Sequence, residues 1–234
     1  MITVYTLVLG TVSLVSSLVD RRGDLAHWCA RVWSWLILAT TGVKVHTNGR
    51  ERLPYDGAYL FVANHQSIYD IPILFTTLPF QLRIIAKASL RRFPVLGWHL
   101  RYTGHLLVEG DLSGSAILTR VADLIRKGHS LIAFPEGARS VDGQVNAFKR
   151  GLFLAAIEAS LPVVPVVVIS SRHVMLKGRL MTCPGEVEVV VHEPIQTQDL
   201  TRRDARILAD RVHGIISKTV QARDPLFQVQ SQGL

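Results

Sequence analysis

The residues Asn64-His65-Gln66-Ser67-Ile68-Tyr69-Asp70 follow directly on an apolar run and set an imidazole and a carboxylate five positions apart. Brought into contact, such a pair is a general base: the carboxylate fixes the tautomer whose far ring nitrogen accepts a proton, and it stabilises the imidazolium that forms. An imidazole with an ordinary pKa near 6.5 suits that work at neutral pH, and a positioned base contributes typically about 10² to 10⁴ in rate. In an extended strand the two residues would lie roughly 16 Å apart, and in one helix about 140° apart around the axis. Neither arrangement permits contact, so the chain must turn between them. Pro72, at ease in the first turn of a helix, makes the corner strand, turn, helix. Taken alone, H-x-x-x-x-D is a common spacing that also arises in loops without chemistry.

A second stretch, Phe134-Pro135-Glu136-Gly137-Ala138-Arg139-Ser140, again ends an apolar run. Gly137 beside Arg139 and Ser140 offers donors to a phosphate, two of whose oxygens a guanidinium can grip; a surface turn with a solvated arginine has the same composition. In a third stretch Lys87 closes an apolar run ahead of Ala88-Ser89-Leu90 and Phe93-Pro94-Val95-Leu96-Gly97-Trp98. Its ammonium is suited to a phosphate or a developing oxyanion, while Arg91 and Arg92 are expected to face anionic headgroups or solvent.

Covalent catalysis lacks its parts. No G-x-S-x-G elbow occurs, and Cys29 and Cys183 sit in no pattern of a nucleophilic cysteine. The two cysteines lie outside any C-x-x-C pattern, so a disulfide framework and a thiolate metal site are both unsupported, in keeping with a reducing cytoplasmic setting. The histidines lie singly, with no H-x-x-x-H or H-E-x-x-H pair, and no metal is expected.

In this order and spacing the three stretches resemble the motifs of the glycerolipid acyltransferase superfamily, especially the bacterial 1-acyl-sn-glycerol-3-phosphate acyltransferases. The likeness runs over roughly residues 58 to 170 and takes in Phe148-Lys149-Arg150-Gly151 and the tract Leu161 to Val166. It implies acyl transfer from a thioester, acyl-CoA or acyl-carrier protein, to the hydroxyl of a lysophospholipid, with no covalent acyl-enzyme and no cofactor beyond that donor. By the same resemblance His65 deprotonates the acceptor, Asp70 orients it, and Lys87, Glu136, Gly137 and Arg139, with Ser140 beside them, position its phosphate. Two departures stand out. Glu109-Gly110 occupies the place of a frequent Asp-Arg pair, and Ala138 that of a frequent Thr. The absent arginine leaves the acceptor's headgroup less constrained than the reaction type.

The elements that must hold these residues follow from periodicity. Strands are expected at Tyr59 to Ala63, Leu82 to Ala86, His105 to Val108, Ser130 to Phe134, Val163 to Ile169 and Val187 to Val191, several rich in β-branched residues. Their near-continuous apolarity points to strands covered on both faces. Ile117, Leu118, Val121, Leu124 and Ile125 form a helical stripe ending at Gly128, and Thr201 with Asp204 resembles a capping box opening a helix that runs to about Ala222. The fold class is α/β: a single domain, residues 45–224, with a mixed, largely parallel central sheet flanked by helices, and a tail at 225–234.

Lys and Arg outnumber Asp and Glu by 26 to 18, a formal +8 that implies an anionic partner. No zinc-finger spacing or aromatic RNA-binding consensus occurs, so an anionic membrane surface or phosphorylated substrate is expected and nucleic acid is not. Residues 1–44 read as an N-terminal two-helix membrane anchor. Ile2 to Val19 carry no charge but as a helix reach only about 27 Å, just short of a bilayer core of roughly 30 Å. No basic residue precedes the run and no small-residue cleavage pattern closes it, so it is expected to be retained rather than removed as a signal. Asp20 to Asp24 break it from a second stretch, Leu25 to Thr41, in which Leu25, Trp28, Val32 and Leu36 share a face opposite His27, Arg31 and Ser34, with Trp28, Trp33 and Trp35 suited to the headgroup boundary. The pair is expected to lie in one leaflet, with the domain on the cytoplasmic face of the inner membrane.

Overall fold

The computed structural model describes residues 1–20, 22–92, 96–109, 115–178, 181–225 and 227. Seven strands, β1 (Val43–Asn48), β2 (Leu60–Ala63), β3 (Leu82–Lys87), β4 (Leu106–Val108), β5 (Ser130–Ala133), β6 (Val163–Ile169) and β7 (Gly185–Val191), form one sheet in the order β1-β7-β6-β2-β5-β3-β4. All neighbours run parallel except β6 and β7. In β2, β5 and β6 every residue is buried, as strands covered on both faces require. Along β6 the pleat sends Val163, Val167 and Ile169 to one layer of the core and Val164, Val166 and Val168 to the other.

The helices are α1 (Ile2–Ser16), α2 (Asp24–Thr40), α3 (Asp70–Thr77), α4 (Leu96–Tyr102), α5 (Ser115–Arg126), α6 (Gly151–Glu158), α7 (Ser171–Val174) and α8 (Ala205–Arg223). Val121 and Leu124 of α5, Phe153 of α6, and Leu208, Val212 and Ile216 of α8 cover one face of the sheet. Ile37 and Leu38 of α2 with Ile73, Leu74 and Phe75 of α3 cover the other. The capping box before α8 is formed, Asp204 Oδ2 accepting from the Thr201 backbone N–H at 2.8 Å. Most of the expected tail 225–234 lies outside the described residues, as do Arg21, Phe93, Pro94, Val95, Gly110 and the side chain of Ile117.

Two features of the fold were not among the expectations. β1 was expected as no strand at all: it pairs only with β7 and lies at the sheet edge, so Val43, Val45 and Thr47 turn inward while Lys44, His46 and Asn48 stay exposed, and no continuous apolar run announces it. α2 packs on the domain by the face that carries His27 and Ser34. Ala26, His27, Cys29 and Ser34 are buried against the domain, whereas Trp28 and Trp35 are 56% and 61% exposed. His27 packs on Phe75 with its Nδ1 left without a hydrogen-bond partner among the described residues, Ser34 returns its hydroxyl to the Ala30 carbonyl, and Arg31 bonds the Leu78 carbonyl, while the large apolar Trp28 and Trp35 are left outside. α2 is thus a layer of the domain itself, and α1 lies over α2 and α4, tied by Trp33 Nε1–H to Thr6 Oγ1 and by Ser13 Oγ to His99 Nδ1. α1 stops at Ser16, and among the described residues no helix is long and apolar enough to cross a membrane.

The turn joining α1 to α2 is fixed from both sides. Asp20 accepts the backbone N–H groups of Arg22, Gly23 and Leu25. From beneath, Arg83, 2% exposed, donates to the carbonyls of Arg22, Gly23 and Leu82 and to Nε2 of His129. Gly23 has φ +73, and a Cβ there would lie 2.7 Å from the Arg83 guanidinium, so glycine is required for conformation and for space.

Around this cation the imidazoles of His27, His99, His105 and His129 are held neutral, chiefly by burial: pushed down to about 3 for His27, to about 4 for His99 and His129, and well below the ordinary value for His105. The unfolded chain would protonate them near pH 6.5 and the native one only far lower, so the stability they contribute is whole above that pH and is lost as pH falls toward the folded values. The urea midpoint is expected to be level above about pH 7 and to drop steeply between about pH 6 and 4. A midpoint unchanged from neutral pH down to that range would show that these rings are not held neutral.

Candidate active site

Because β6, β2, β5 and β3 are adjacent and parallel, their carboxyl ends deliver Asn64 to Asp70, Phe134 to Ser140, and Lys87 to one edge of the sheet, where side chains project into a crevice. The strand, turn, helix corner that the His65 and Asp70 spacing demands is present. β2 ends at Ala63, and α3 begins at Asp70 with Pro72 in its first turn. Asn64 fixes the start of the corner by exchanging two hydrogen bonds with the Val168 backbone, at 2.8 and 2.9 Å.

Asp70 is 0% exposed. Its Oδ2 accepts from the backbone N–H of Gln66 at 2.8 Å and of Ser67 at 2.9 Å, and it lies 2.8 Å from His65 Nδ1. A carboxylate so placed can only accept, so Nδ1 carries the proton and Nε2 keeps its lone pair. The imidazole, with a side chain 17% exposed, stacks on Phe134 at 4.1 Å between ring centroids. It can therefore take a proton from a hydroxyl arriving at Nε2, with the Asp70 charge behind it.

Glu136 ties this corner to the neighbouring loop. Its Oε1 accepts the His65 backbone N–H at 2.8 Å, and its Oε2 accepts the backbone N–H and side-chain amide of Asn146 at 3.0 and 2.9 Å. Burial raises the carboxyl above its ordinary value, against the opposing pull of the bonds from Asn146 and His65. With both oxygens engaged inside the protein, Glu136 is a scaffold for the site. Ser140 is likewise turned inward: its hydroxyl donates to Asp142 and accepts from the Gly143 N–H, both at 3.0 Å, while its own N–H donates to the His65 carbonyl at 2.7 Å.

Beside Phe134 opens a cavity of about 490 Å³ whose lining includes Lys87, Arg91, Arg92, Lys149 and Gly137, together with Glu109. Gly137 has φ +72, and a Cβ there would come within 3.2 Å of the Lys149 ammonium, so the bare backbone leaves that cation room. Lys87 and Gly137 thus meet as expected. Arg139 is not part of this lining, and its carbonyl receives the Lys177 ammonium at 2.8 Å. Lys149 is a cavity residue that sequence reasoning did not assign, although it lies within the recognised Phe-Lys-Arg-Gly stretch, and Arg91 and Arg92, expected to face anionic headgroups or solvent, line the cavity as well. Phe134 likewise gave no chemical signal. The arrangement is a proton acceptor next to a concave, largely apolar pocket whose charged groups are four cations and Glu109, able to activate a hydroxyl on a molecule that carries an anionic group.

Comparisons with known proteins agree with this chemistry. Residues 44–169 match the family described as Acyltransferase. A 1-acyl-sn-glycerol-3-phosphate acyltransferase of Chlamydomonas reinhardtii is 35% identical over 181 residues, covering 75% of this chain and 54% of that protein. The human 1-acyl-sn-glycerol-3-phosphate acyltransferase alpha is 33% identical over 174 residues, covering 73% of this chain and 62% of that protein. The chain therefore spans little more than half the length of these relatives. The crystal structure of the 1-acyl-sn-glycerophosphate (LPA) acyltransferase PlsC from Thermotoga maritima superposes with a TM-score of 0.75 at 27% identity, covering 94% of both chains.

Proposed function

Because the chain belongs to the acyltransferase family, we propose that it transfers a fatty acyl group from an acyl thioester to the sn-2 hydroxyl of 1-acylglycerol-3-phosphate, giving phosphatidic acid. The observation that carries this reading is the 2.8 Å contact of His65 Nδ1 with Asp70 Oδ2, the imidazole stacking on Phe134, which lines a cavity bearing four cations. His65 Nε2 takes the hydroxyl proton as the oxygen attacks the thioester carbonyl. The tetrahedral intermediate then expels the thiolate, which leaves with the proton from the imidazolium. Asp70 compensates the ring's charge between these steps. Lys87, Arg91, Arg92 and Lys149, which line the cavity, hold the acceptor phosphate. The donor is acyl-CoA or acyl-carrier protein, and no further cofactor takes part.

Apolar side chains that α1 and α2 leave exposed, among them Leu7, Val8, Val15, Trp28 and Trp35, support seating the enzyme in one leaflet, with Arg22 at the anionic cytoplasmic face of the inner membrane. Glu109 in the cavity lining favours a second reading, in which the acceptor is a lysophospholipid with an amine in its headgroup.

Purified protein supplied with mixed acyl-CoA and acyl-carrier-protein donors and mixed lysolipids is expected to yield phosphatidic acid as the dominant new mass. Products confined to an amine-bearing phospholipid would establish the second reading, and absence of thioester consumption would defeat both. Glu136→Gln is expected to lower the rate by about 10- to 100-fold, because one of its two acceptor positions becomes a donor facing an N–H group. Wild-type rate and melting temperature in that variant would show that the Glu136 bridge does not hold the corner.

A further inference from the structure

A smaller cavity of about 280 Å³ lies next to the catalytic one and is lined by Arg91, Arg101, His105, Leu107 and Arg120. Arg91 comes from the helical turn Ala88–Arg92, Arg101 from α4 and Arg120 from α5, while His105 immediately precedes β4, so four segments converge on it. Among the described residues none of the three guanidinium groups is paired with a carboxylate. Arg91 bonds the Leu107 carbonyl at 3.4 Å, and Arg101 lies against the Tyr102 ring. All three arginines are exposed, and like charges gathered around one concavity raise the local concentration of anions there.

His105 supplies an independent sign. It is 5% exposed, and its Nδ1 accepts the Ile84 backbone N–H at 2.9 Å, so the proton of the neutral ring is on Nε2. That nitrogen has no protein partner among the described residues, yet it is not one of the sealed, unpartnered polar atoms of the interior. His105 is part of the cavity lining, so this N–H belongs to the donors gathered around it. Three guanidinium forks and a ring N–H make a wall of donors, the chemistry of a phosphate site.

We propose that this cavity is a second phosphate-binding site, separate from the one that holds the acceptor, and that Arg91, which lines both, links them. The phosphate ester comes from one of two sources: the carrier portion of the acyl donor, which rests on the acyl-transfer reading, or the headgroup of a membrane phospholipid beside the exposed Trp98 and Tyr102 of α4. The test is equilibrium binding by the double variant Arg101→Gln, Arg120→Gln, which spares Arg91. The probes are free coenzyme A, by calorimetry, and phosphatidylcholine vesicles with and without phosphatidylglycerol, by cosedimentation. A control variant, Arg211→Gln, Lys218→Gln, removes the same charge from exposed positions of α8.

The cavity variant is expected to weaken one probe by about tenfold or more, with little change in the control. Loss confined to coenzyme A assigns the site to the donor, loss confined to phosphatidylglycerol vesicles assigns it to a headgroup, and loss of both beyond the control assigns a site open to either. Unchanged binding of both probes would overturn the proposal, as would an equal loss in the control, which would reduce the effect to net charge. A protein that showed this arginine-dependent binding yet consumed no thioester would sink the reaction and leave the site standing.

Discussion

Replacing His65 by alanine is expected to lower the acyl-transfer rate by about 10²- to 10⁴-fold while the protein still folds. The backbone of residue 65 is held independently of the ring: its N–H donates to Glu136 and its carbonyl accepts from Ser140. Removing the imidazole deletes the stack on Phe134 and one of three bonds to Asp70 Oδ2, whose two backbone donors remain. The stability cost is therefore on the order of 1–3 kcal/mol. Initial rates with saturating thioester and lysophosphatidic acid, read beside a melting curve, separate the two effects. A variant within a few-fold of the wild-type rate would remove His65 from the role of base.

The dyad was legible in the sequence because its geometry is local. Five residues cannot bring an imidazole to a carboxylate without a turn, and Pro72 told which element follows. The parallel strands were legible for a similar reason, since β2, β5 and β6 must be apolar on both faces. What escaped depends on partners distant in the chain. The burial of His27 and Ser34 is decided by contacts of α2 with the rest of the domain, as in the ring contact of His27 with Phe75 of α3, and a helix read alone does not show which of its polar groups such contacts will cover. The β1 strand has one neighbour and an exposed face, so its alternation is short and weak. Glu136 was legible as a motif residue, but its occupation by His65 and Asn146 joins two strand-end loops that only the sheet order makes adjacent. The same holds for Lys149 and Arg91, cations without a local signature that reach one cavity from separate elements.

Asp70→Asn is expected to cost nearly as much in rate as the loss of His65, with much less disturbance of structure. The Oδ2 position is surrounded by the N–H groups of Gln66 and Ser67 and by His65 Nδ1. An asparagine must place its carbonyl oxygen there, since its NH2 group would confront donors, and the NH2 then takes the place of Oδ1, which has no protein partner. The tautomer of His65 and the turn therefore survive, and only the charge behind the imidazolium is lost. A unit pair at about 4 Å with an effective dielectric near 20 interacts by about 4 kcal/mol, which corresponds to roughly 10³ in rate as an upper figure. If the two residues act as one base, the double variant His65→Ala, Asp70→Asn falls no further than His65→Ala alone, because the carboxylate has no second route to the reaction. Rates that multiply, each substitution exacting its full cost in the presence of the other, would show that Asp70 serves the site by some means other than the imidazole.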